Sequence, residues 1–307
     1  KASNFTPFIP PSQPASTVEG SSAVTGVMTQ PLWQFATGMT PSVYGVPGIL
    51  SGAALVFFAF IGFDVVATAS EETKNPHKNV PLGIGVGMLL IIVMYMLVAV
   101  VTTGMVSYAD LAKQDSPSLA TAFELVGADW AAKIISFGIV LGLATVVMVL
   151  LLGLTRIVFA MSRDGLLPRG LSKTGKHGTP AALQIVVGAV VALVAAFFDI
   201  GVLSDMVNIG TLSAFTLVAI SIPIMRKKRP DLPRAFKMPG SPWIPILIAV
   251  ANFWLMLNLS VLTWIRFVVW LVVGFAIYFG YGYWHARLGK GDLTETLSAE
   301  TDKAVNG

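Results

Sequence analysis

The sequence predicts an all-α polytopic membrane protein with seven crossings, and three observations carry that prediction. Of 307 residues only 12 % are charged, 55 % are hydrophobic, and the mean hydropathy is +0.76, whereas soluble chains carry charge on about a quarter of their residues. Uncharged runs long enough to cross roughly 30 Å of hydrocarbon recur along the chain. Lys and Arg crowd into the segments between those runs. With no cysteine and so much apolar surface, soluble enzymes, disulfide-rich secreted scaffolds and disordered chains are set aside.

Taken in order, residues 1–47 are rich in Pro, Ser, Thr and Gly and nearly uncharged. They read as an external loop, because no basic segment precedes an apolar core as a signal peptide requires. The chain starts at Lys1 without Met, and the expectation is that further residues, and further spans, lie upstream. The transmembrane region is expected over 48–286, with spans at 48–70, 82–106, 134–155, 180–198, 204–225, 243–263 and 266–284, followed by a cytoplasmic tail at 287–307. Asn75-Pro76 closes the first span, since a residue before proline avoids the helical region, and Pro81 suits the opening turn of the second. Residues 110–133 are expected to form an external excursion with a short helix after Ser116-Pro117. Around Arg163 and Asp164 the sequence predicts a turn with a local ion pair of little worth.

An odd number of spans puts the two ends on opposite sides. With the N-terminus outside, the cytoplasmic segments collect Lys74, Lys78, Arg156, Arg163, Arg169, Lys173, Lys176, Arg226, Lys227, Lys228, Arg229, Arg234, Lys237, Arg287, Lys290 and Lys303, which is sixteen of the twenty basic residues. The remainder are Lys1, Lys113, Lys133 and Arg266. By the positive-inside bias the N-terminal loop is external and the C-terminus cytoplasmic. The same distribution explains the +4 net charge without nucleic acid, because no basic face interleaved with aromatics is present.

An ionisable group inside a span is a functional candidate by default, and Asp64 is the clear case. Arg156 and Arg266 lie at span ends, where they can snorkel, while His77, His177 and His285 fall in cytoplasmic segments. Metal sites and acid/base dyads therefore have little to be built from within the membrane, and neither a metal nor a cofactor is expected. Asp64 ends the run Phe57-Phe58-Ala59-Phe60-Ile61-Gly62-Phe63-Asp64. Glycine at mid-depth is a place where a helix can break, exposing backbone groups to a ligand and aiming the following helix N-terminus at an anion. The competing reading is that Gly62 admits a neighbouring helix and the phenylalanines simply pack.

The strings Phe58-Ala59-Phe60-Ile61-Gly62-Phe63-Asp64, Glu72-Thr73-Lys74-Asn75-Pro76, Ser162-Arg163-Asp164-Gly165-Leu166-Leu167-Pro168, Gly178-Thr179-Pro180 and Asn208-Ile209-Gly210-Thr211-Leu212 resemble, in order and spacing, those of the amino acid-polyamine-organocation superfamily, in particular its cationic amino acid transporter branch. Asn4-Phe5-Thr6-Pro7-Phe8 is similar to the external loop before the sixth helix there. The resemblance implies that this chain forms the C-terminal part, helices six to twelve, of a twelve-helix inverted-repeat (LeuT-like) transporter, with helices one to five as missing partners that hold half of the substrate site. An insertion over about 12–41 departs from the family pattern and is expected to alter nothing central.

Carried over residue by residue, the resemblance makes Phe58 an aromatic gate above the substrate and Ala59, Phe60, Ile61 and Gly62 the unwound segment that binds the substrate ammonium. Asp64 takes the position of an acid implicated in proton coupling or gating; the alternative is that it only accepts hydrogen bonds and never titrates. Thr145, Met206, Asn208 and Ile209 are candidates for lining a gate or coupling site, and Gly138-x-x-x-Gly142 marks a close-packing surface instead. The function so implied is secondary active, proton-coupled transport of amino acids across the plasma (inner) membrane by alternating access. Its partners would be an amino acid of open side-chain charge, protons and the lipid bilayer. The alternative is a ligand-binding or sensing membrane subunit that does not translocate.

Overall fold

The computed structural model describes residues 2–17, 26–68, 73–114, 117–173, 180–230 and 240–286. The Asp64 side chain, Glu72, Ser116, Gly178, Thr179 and the tail 287–307 lie outside the described residues. The architecture is all-α. Among the described residues four helices are long and apolar enough to cross a membrane: α4 (Pro76–Met105), α7 (Asp129–Arg163), α9 (Ile200–Lys228) and α11 (Val261–Ile277), the last continued through a π-helical turn at Tyr278–Gly282 to His285. Three shorter apolar helices accompany them: α2 (Gly45–Val56), α8 (Ala181–Phe197) and α10 (Trp243–Leu257). Small helices are also present: α1 (Leu32–Thr37), α3 (Phe63–Thr68), α5 (Tyr108–Ala112), α6 (Leu119–Leu125) and α12 (Tyr283–His285).

Local chemistry accounts for most of these ends. Helix α4 begins at Pro76, where the missing amide costs nothing, behind Asn75 in the left-handed conformation. Pro81 therefore lies inside the helix rather than opening it. Ser118 caps α6, accepting from the Thr121 amide at 3.1 Å, as a helix start between polar residues favours. Helix α7 runs on to Arg163 before turning, and its Arg163–Asp164 pair at 3.7 Å is well exposed. One boundary departs from the charge pattern. The uncharged run through residue 265 contains a turn, because α10 stops at Leu257 and α11 starts at Val261. The turn precedes Arg266 because Ser260 caps the new helix, its Oγ accepting from the Thr263 amide at 3.2 Å.

The chain divides into two compact units, 1–144 with 200–267 and 145–199 with 268–307. In the first, α9 and α10 pack along each other beside α2, around a core of Ala54, Ile209, Leu212, Met256 and Leu259. The N-terminal segment pairs Gln13–Pro14 (β1) antiparallel with Ser42–Val43 (β2). In the second unit, Gly165, at φ +84, lets the turn after α7 pass so close to the His285 carbonyl that a side chain would collide with it. Buried Ser162 locks that turn by donating to the Pro168 carbonyl at 2.7 Å.

Most of the large hydrophobic side chains are exposed, and none of the apolar window of α4 is buried. In water such a surface would drive aggregation, whereas acyl chains or further helices solvate it. Gly138 and Gly142 likewise present open faces, with no atom within 4 Å of an added Cβ.

Candidate functional site

The backbone between α2 and α3 is irregular. Helix α2 gives way at Val56 to a 3-10 segment, Phe57–Phe60; Ile61 is extended (φ −67, ψ 138) and Gly62 has φ 122, and α3 starts at Phe63. That positive φ is open to glycine and strained for any side chain. A Cβ on Gly62 would meet nothing within 4 Å, so the demand for glycine here is conformational and not steric. The Ile61 amide donates to the Phe58 carbonyl at 3.2 Å and the Val65 amide to the Gly62 carbonyl at 3.2 Å.

Neighbouring helices hold this segment. From α9, Phe215 stands against Phe57 and Phe63, with ring centroids at 6.2 and 5.4 Å, and so touches both sides of the irregular stretch. Asn208, fully buried on the same helix, donates from Nδ2 to the Leu55 carbonyl at 3.5 Å, and its Oδ1 is buried without a partner. From α4, the Tyr95 hydroxyl donates to the Ala59 carbonyl at 2.9 Å, and its ring meets that of Phe60 edge-on at 5.1 Å. Phe58 is 44 % exposed.

Phe58, Ala59, Phe60, Ile61 and Gly62 thus lie together on one stretch, and Asn208 reaches it one turn earlier, at Leu55. Met206, two residues before Asn208, is half-buried; positions two apart on a helix do not share a face. Thr145 is an exposed residue of α7 in the other unit. Two polar residues were not singled out from the sequence. Tyr95 sits in an uncharged run where nothing local marks it. Asp205, near the start of α9, accepts from fully buried Thr263 at 3.0 Å, and Thr263 shares a 2.8 Å hydrogen bond with Ser260. An acid that close to a span boundary reads as a helix-end residue; its partner is far away in sequence.

The segment before α2 is closely attached to the α10–α11 turn. The Leu32 amide donates to Leu259, Val261 to Gln30 and Leu262 to Met28, at 3.0, 3.1 and 2.8 Å. Trp33 Nε1 donates to Asn258 Oδ1 at 3.0 Å and its ring stacks on Trp254 at 6.5 Å. The described part of the 12–41 insertion is thereby a docked strap rather than a loose loop.

Apolar helices that leave polar backbone and few ionisable groups at an irregular point are the equipment of a membrane transport protein. The chain belongs to the amino acid permease family, whose sequence profile matches residues 7–283, within the amino acid-polyamine-organocation superfamily. It is 47 % identical to the branched-chain amino acid permease BcaP of Bacillus subtilis, over 80 % of this chain and 53 % of that protein. It is 43 % identical to the methylthioribose transporter of the same organism over the same shares. With the mitochondrial cationic amino acid transporter 3 of Arabidopsis thaliana it shares 45 % identity over 63 % of this chain and 31 % of that protein. The chain spans about half the length of the first two relatives. These relatives are named as permeases and transporters, not as enzymes.

Proposed function

We propose that the protein is a secondary active transporter of amino acids across the plasma membrane, proton-coupled and working by alternating access, with substrate held at the irregular backbone around Gly62. The observation that carries this reading is the stretch Phe57–Gly62, where an apolar helix gives up its regular bonding beside exposed Phe58 in a chain of the amino acid permease family. Carbonyls of that stretch suit an ammonium, and the amides opening α3 suit a carboxylate. The N-terminal segment is placed outside and the C-terminus inside on the Lys/Arg distribution, and the chain would act together with five further helices that complete the site. Phe58 would close over the substrate, Met206 and Asn208 would border a gate, and Thr145 is a separate candidate for the coupling role.

Asp64 is assigned the coupling proton. An acid within a span is a default candidate for carrying a proton, loading it on one side and releasing it on the other. The experiment is uptake by the complete protein in proteoliposomes, beginning with the branched-chain amino acids named for one relative and continuing with small neutral and cationic ones. Accumulation driven by an imposed pH gradient is the expected result. Binding without accumulation would favour the sensing-subunit reading over transport. In Asp64→Asn, gradient-driven uptake should vanish while counterflow exchange persists; uptake at the wild-type rate would remove Asp64 from the coupling role.

A further inference from the structure

A helix interrupted in hydrocarbon leaves carbonyls whose amide partners have moved away, and each must find another donor. In a continuous α-helix the carbonyl of residue 59 would accept from the amide of residue 63. Here extended Ile61 and Gly62 at φ 122 intervene, carrying the Phe63 amide off that line. The donor at Ala59 is instead the Tyr95 hydroxyl, at 2.9 Å, with its ring set edge-on against Phe60. One turn earlier, the Leu55 carbonyl receives the Asn208 carboxamide at 3.5 Å.

We infer that Tyr95 and Asn208 are positioning residues for the interrupted segment: from α4, Tyr95 supplies the Ala59 carbonyl with the donor that the backbone has withdrawn and so aims it, and from α9, Asn208 adds a second donor to the Leu55 carbonyl, which already accepts from the Phe57 amide. That carbonyl has two lone pairs. Tyr95 takes one and fixes the orientation of the other, which is left for a substrate ammonium; this last step rests on the amino acid reading above. Asn208 holds the Leu55 end of the segment with one arm only. Its Oδ1 is buried and unpartnered, a desolvated acceptor whose removal together with the donor relieves a penalty.

The variants are Tyr95→Phe, which keeps the ring contact and deletes the donor, and Asn208→Leu, which keeps the volume and deletes donor and orphan acceptor together. Two measurements on the complete protein test them. The first is hydrogen exchange of the segment 57–63 without ligand, expected to quicken severalfold in both variants; unchanged exchange overturns the proposal whatever the substrate proves to be. The second is inhibition of uptake by a transported amino acid and by its des-amino analogue. In Tyr95→Phe the amino acid should lose roughly tenfold in affinity, about one hydrogen bond's worth, with the analogue unchanged. Equal loss for both would mark general damage, and a gain for the amino acid would make the hydroxyl a competitor; either overturns the proposal. Asn208→Leu should melt no lower than wild type, and a clear drop in Tm would overturn its assigned place. A wild-type protein that neither binds nor transports amino acids would instead defeat the functional reading, leaving the exchange result to decide the positioning roles.

Discussion

The turn between α10 and α11 and the break between α2 and α3 both end a helix among apolar residues, and they are closed in opposite ways. At the turn the bonding is redundant. Three backbone hydrogen bonds tie it to the segment 28–32, Ser260 caps α11, Trp264 Nε1 donates to the Met256 carbonyl at 3.0 Å, and Asn258 serves both Trp33 and Trp254. At the break, two side chains supply donors, one of them long at 3.5 Å, and one buried acceptor has none. A helix end whose groups are fully spent on the protein is scaffold. One that keeps bonding capacity unspent is where a polar ligand can gain something from binding.

That contrast can be broken most forcefully at Gly62. Gly62→Val imposes a β-branched residue on φ 122, a strain on the order of 1–3 kcal/mol, and uptake should fall at least about tenfold while the protein still inserts and purifies. Unaltered uptake with this substitution would mean that the break is not the working site. At the turn the expected effect is on stability instead. Asn258→Ala strands the Trp33 indole N–H and frees the Trp254 carbonyl, at a cost of about 1–3 kcal/mol, visible as a lowered Tm with substrate affinity retained. A loss of affinity with no change in Tm would erase the distinction between scaffold and site. Thr263→Val deletes the donor to Asp205 and the tie to Ser260 and should cost about 1 kcal/mol. Smallest of all is Lys113→Ala, which removes an exposed pair with Asp110 at 3.6 Å; surface pairs are worth about 0–1 kcal/mol, and neither Tm nor uptake should move measurably.

The legible features were those set by neighbours in the chain. Asn75 before Pro76, a short helix soon after Ser116-Pro117 and the uncharged runs beneath α4, α8 and α9 announce themselves because proline sterics and hydrophobic length act within one or two turns, whereas the cap that opens α6 is Ser118. The α10–α11 turn was harder to see. No charge, Gly or Pro interrupts the sequence around Asn258, Leu259 and Ser260, and the turn is held by partners such as Gln30 and Leu32 that lie far away along the chain. The strap over 26–33 is hidden for the same reason, since it lies in an uncharged segment rich in Pro, Ser, Thr and Gly and its partners are remote in the chain.

At the candidate site the division falls in the same place. Gly62 could be singled out because glycine among phenylalanines in an apolar run is a local anomaly, and the membrane itself follows from composition, because twenty apolar residues in a row need lipid whatever their neighbours do. Tyr95 at Ala59 and Asn208 at Leu55 could not be foreseen. A hydrogen bond between residues 36 or 153 positions apart exists only once packing has brought two helices together, and no window of sequence contains both ends of it.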